Sequence, residues 1–140
     1  MTQENKELLL QDLCARLPFK ICANLPNHHL VSHKYIIHDI NIQNGWTTGI
    51  LDCLGRIQIY GAKVEDIKPY LRPMSSMTEE EEEEFVSFTD TMFRYGKDNN
   101  LCCFPLDAID WLNKNHFDYR GLIEKGLALE APEGMYNIKE

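Results

Sequence analysis

The chain has no apolar run approaching the roughly 18 residues that a membrane span needs. Its start, Met1 to Glu7, is polar and acidic, and only Leu8 to Leu10 come next as a continuous apolar run. That is not the charged and then apolar pattern of a secretory signal, so a cytoplasmic protein is expected. Basic residues are scarce: 14 Lys and Arg face 22 Asp and Glu, for a formal net charge of −8, and no basic cluster exceeds an isolated pair. Nucleic-acid binding and attachment to anionic membranes both rest on Lys and Arg meeting phosphate, which sets both classes aside. The cysteines, Cys14, Cys22, Cys53, Cys102 and Cys103, are odd in number and include no Cys-x-x-Cys pair. A secreted disulfide framework, a zinc ribbon and a thioredoxin-like site are all disfavoured by that pattern, and buried thiols are expected instead. The chain also lacks Gly-x-Ser-x-Gly, His-Glu-x-x-His, a P-loop and Gly-x-Gly-x-x-Gly. No catalytic residue and no cofactor is expected.

What is present is a change of period along the chain. Residues 2–17 read as an amphipathic helix with Thr2 as N-cap, Leu10, Leu13, Cys14 and Leu17 on the apolar face, and Pro18 as the stop. Residues 18–72 form a β-rich part. Phe19, Ile21, Ala23 and Leu25 alternate with Lys20, Cys22 and Asn24. A second β region runs over 31–42, Asn44-Gly45 marks a hairpin turn, and strands are expected over 46–51 and 56–60. A helical turn at 64–66 then leads into a short closing strand.

Residues 73–130 are helical. Ser76-x-x-Glu79 and Thr78-x-x-Glu81 both match the capping box, and Gly96 is a natural stop. A further helix runs from Pro105 to about Asn115, with Leu106, Ile109 and Leu112 inward and Trp111 beside them. Asp118 should cap a last short helix ended by Gly126. Residues 131–140 read as a loose tail. The expected fold is α+β in a single domain: an N-terminal helix, a small antiparallel sheet or SH3-like barrel, and C-terminal helices packed on it.

The feature that stands out is the run Glu79, Glu80, Glu81, Glu82, Glu83 and Glu84, six of the 22 acidic residues in one place. Acids offset the helix dipole only in the first turn, and like charges at i, i+4 repel. The run therefore exceeds what capping requires, and it is a candidate contact for a basic protein partner. Trp46 and Tyr60 are candidate contacts on a barrel rim. The competing reading is a metal-binding protein or small enzyme using His28, His29 and His33, because imidazole is the commonest transition-metal ligand. Their spacing matches no defined site, and nothing local specifies a Cys–His nucleophile pair with His38 or His116. A structural phage protein is a third reading. The sequence leaves the oligomeric state open.

Three blocks carry a resemblance: DLCARLP from Asp12, IKPYLRPMSSMTEEE from Ile67, and DWLNKNHFDYRGLIEKGLALEAPEGMY from Asp110. They are similar to a family of small uncharacterised proteins of gut Bacteroidales and their phages and mobile elements. The resemblance implies a bacterial or phage origin and an accessory role. It transfers no functional residue.

Overall fold

The computed structural model describes residues 1–24, 35–41, 46–51, 58–96 and 106–136. The chain begins with helix α1 (Gln3–Arg16), whose N-cap Thr2 accepts the Asn5 N–H through its hydroxyl. Pro18 ends it by diverting the chain into a 3-10 turn over Leu17–Phe19. The buried face of α1 is Leu9, Asp12, Leu13 and Arg16. That face is turned by one residue, about 100°, from the expected Leu10, Leu13, Cys14 and Leu17. Cys14 is an exposed free thiol, whereas Cys22 is buried. Cys53, Cys102 and Cys103 lie outside the described residues, as do His28, His29 and His33.

Strands β1 (Cys22–Asn24), β2 (Tyr35–Asn41), β3 (Trp46–Leu51), β4 (Gln58–Lys63), β5 (Lys68–Leu71) and β6 (Leu129–Glu130) lie side by side in the order β4-β3-β2-β1-β5-β6. All neighbours are antiparallel except β5 and β6. The expected return strand at 46–51 is β3, and Asn41 opposite Trp46 closes the hairpin; its turn at 42–45 lies outside the described residues. The helical turn at Val64–Asp66 precedes β5 as expected. The sheet is open, with β4 and β6 at its two edges. The barrel alternative is not seen, because no pairing among the described residues joins β4 to β5 or β6 and closes the sheet.

Helices α2 (Glu79–Gly96) and α3 (Leu106–Lys114) come next. Their main described contacts are with each other and, for α3, with α1. The main core joins Leu9 and Leu13 of α1 to Ile21, Ala23, Ile37, Ile67 and Leu71 of the sheet region, and takes Leu122, Leu127 and Ala128 from the turns after α3. A second cluster gathers Trp111, Leu112 and Phe117, with Phe85 and Phe88 of α2 against it. Leu106, expected inward, is 78% exposed, and the inward face of α3 is Ala108, Trp111, Leu112 and Asn113.

Asp118 does cap, accepting the N–H groups of Leu122 and Ile123, but residues 119–126 form a series of turns rather than a helix. Gly126, at φ +74, ends it. Residues 131–136 are tied down rather than loose. Ala131 N–H donates to the Leu71 carbonyl. The Tyr136 hydroxyl accepts the Cys22 N–H at 3.0 Å and donates to the Tyr70 carbonyl at 2.7 Å.

Candidate functional site

The acidic run begins on a helix start that the sequence builds twice over. Thr78 Oγ1 accepts the Glu81 N–H, and Glu81 Oε1 accepts the Thr78 N–H, so the second of the two candidate capping boxes is the one formed. Ser76 instead donates its hydroxyl to the Pro73 carbonyl. Glu81 then does a second task. Arg72, just past β5, grips its carboxylate with two hydrogen bonds of 2.8 and 2.7 Å. Both side chains are about nine-tenths buried. The guanidinium holds the Glu81 carboxyl below the usual carboxylate range, against the opposing effect of burial, with the Thr78 N–H assisting.

Glu81 is therefore not a surface acid. Glu79, Glu80, Glu82, Glu83 and Glu84 are exposed. The run divides into one structural carboxylate and five displayed ones.

Arg72 is itself held from below. Its guanidinium lies 4.1 Å over the Phe117 ring. Its N–H donates to the His116 carbonyl, and its carbonyl accepts the Asp118 N–H. Phe117 stacks on Trp111 at 5.6 Å, and Phe85 of α2 packs on the same tryptophan at 5.7 Å. On the far side, Arg16 donates to the Phe117 carbonyl at 2.6 Å and to both oxygens of Asp12. Arg120 adds a 3.3 Å contact to Asp12. Asp12 and Arg16 are fully buried. All of these charged residues stand in the blocks DLCARLP, IKPYLRPMSSMTEEE and DWLNKNHFDYRGLIEKGLALEAPEGMY, which are far apart in sequence and meet here in space.

His116 sits beside this network with φ +63, and its ring stacks on Tyr136 at 3.7 Å. Burial, reinforced by the charges of Arg16 and Arg72, pushes its pKa down to about 4. Burial likewise pushes the Tyr136 phenol up. His116 Nδ1 and Arg16 Nη1 are buried without a hydrogen-bond partner.

Trp46 opens β3 opposite Lys63, and Tyr60 of β4 stands opposite Gly49. These two positions are an odd number of rungs apart, so they do not share a face of the ladder. Among the described residues, no group of three or more His, Cys, Asp or Glu is placed to hold a metal ion. No helix among them is long and apolar enough to cross a membrane.

Sequence reasoning singled out the glutamates and missed their clamp. Asp12, Arg16, Arg72, His116, Phe117 and Tyr136 carry the network. One signal was readable: Asp12 and Arg16 fall four apart, in register with Leu9 and Leu13. No protein-family model, curated protein or solved structure matches the chain.

Proposed function

We propose that the chain is a non-catalytic binding module that recognises a basic surface on a protein partner, with the start of α2 as the contact. One observation carries this reading. Glu81 alone serves the helix cap and the Arg72 clamp, yet five further glutamates stand exposed around it. Glu79, Glu80 and Glu82 lie in the first turn, where acids offset the helix dipole, but Glu83 and Glu84 lie past it, and each like-charge pair at i, i+4 costs a few tenths of a kcal/mol. A basic partner would turn that repulsion into attraction and speed encounter. The support is well packed, so little ordering would be lost on docking.

The resemblance to proteins of gut Bacteroidales and their mobile elements supports a bacterial cytoplasm as the setting, with the module an accessory or phage-encoded factor acting on a host protein. The test is a pull-down from bacterial lysate with the native chain beside a variant carrying Gln at 79, 80, 82, 83 and 84, with Glu81 kept. A basic partner held by the native chain and lost by the variant supports the reading. Equal capture by both moves the contact off α2, and no capture by either removes the reading.

A further inference from the structure

We infer that a second cleft, separate from the acidic helix, binds a small organic anion. This cleft has a volume of about 280 Å³ and lies between the turn after α1 and the turn after α3. Lys20, Lys114 and His116 line it, with Phe19, Met135 and Tyr136 supplying apolar surface. No acidic side chain is among its lining residues, although the chain carries −8 overall. Neither lysine makes an ion pair with a described residue.

The neighbouring cleft, of about 400 Å³ and sharing Tyr136, shows the contrast. It contains Glu130 and Glu133, and its one arginine, Arg72, is already committed to Glu81.

Two further features shape the smaller cleft. Lys20 (φ 55) and His116 (φ 63) are the only non-glycine residues with positive φ among those described, and both line it. Each ends a helix: Lys20 caps the 3-10 turn after α1, and His116 follows α3, with its N–H on the Asn113 carbonyl and the Phe117 N–H on the Leu112 carbonyl. In addition, His116 is 7% exposed, with its Nδ1 lacking any partner. A neutral imidazole carries one N–H, which is a donor for an oxyanion.

The cleft is small, and much of its lining is apolar or aromatic. The ligand class is therefore a carboxylate or phosphate on a compact apolar body. This inference stands apart from the proposed protein contact.

The experiment is an NMR titration of the His116 ring resonances at low ionic strength. Benzoate and inorganic phosphate serve as probes, and chloride as the control. Saturable shifts are expected with at least one of the two oxyanions. A Lys20→Gln, Lys114→Gln variant should bind about tenfold more weakly, with its melting temperature little changed because both lysines are exposed. Saturation by benzoate alone would assign a carboxylate ligand, and by phosphate alone a phosphate-bearing one. Linear drift without saturation, or identical curves for native and variant protein, would overturn the inference.

Discussion

Single residues set the acid sensitivity of this protein. His116 titrates near 6.5 when unfolded and is pushed down to about 4 when folded, chiefly by burial and then by Arg16 and Arg72. Between these values the unfolded chain takes up a proton that the folded chain refuses. Stability is therefore full above pH 6.5 and falls as pH drops towards 4, by up to about 3 kcal/mol. Chemical denaturation at a series of pH values should show this slope. His116→Asn, which tolerates a left-handed backbone, should flatten it over that window whatever its baseline stability. Glu81 acts below this range. Its carboxyl is held low by Arg72, so its contribution persists above the ordinary carboxylate pKa and disappears as pH falls through the folded value. Tyr136 tests a neutral contact. Tyr136→Phe removes a hydroxyl that bridges the Cys22 N–H and the Tyr70 carbonyl, and should cost about 1–3 kcal/mol in urea unfolding.

At the scale of elements, the acidic run should behave as two populations. Glu81→Ala leaves the Arg72 guanidinium buried without its partner and removes half of the capping box, so a loss of about 3–5 kcal/mol is expected. Glu83→Gln, on the exposed side, should change stability by no more than about 0.5 kcal/mol, and upward if repulsion dominates. Thermal melts of the two variants side by side check both expectations. In α1, Asp12→Ala should be as damaging as Glu81→Ala, because it strips both Arg16 and Arg120 of their shared acceptor.

The same elements show what could be read from the sequence. The bounds of α1, the strand at 46–51, the turn before β5 and the Thr78 cap rest on local chemistry: a proline stop, a hairpin, a hydroxyl three residues before a glutamate. The inward faces of α1 and α3 do not. On α1 the buried side holds an ion pair, which lowers its apparent apolarity and favours the neighbouring stripe. On α3, Asn113 is buried because it accepts the Tyr119 hydroxyl at 2.8 Å, a partner that lies beyond the helix. The single carboxylate drawn from the glutamate run depends on an arginine from the end of β5. Local spacing cannot report such a partner.

For the whole molecule, the contacts that lock the core join distant parts of the chain. Arg16 reaches the Phe117 carbonyl across 101 positions, and the Tyr136 hydroxyl reaches Cys22 across 114. The latter contact sits where β1 and β5 part. Ala23 pairs with Pro69, a residue without an N–H, and at the next rung the Tyr136 hydroxyl stands between the Cys22 N–H and the Tyr70 carbonyl. A phenol thus replaces one rung of the ladder. During synthesis at about 5–20 residues per second, α1 and the first strands emerge many seconds before residue 136 can reach them. The N-terminal helix, with Asp12 and Arg16 on its inward face, must wait on the ribosome without its distant partners. This part of the nascent chain therefore remains open to chaperones and proteases until residue 136 has been made and its hydroxyl can join β1 to β5.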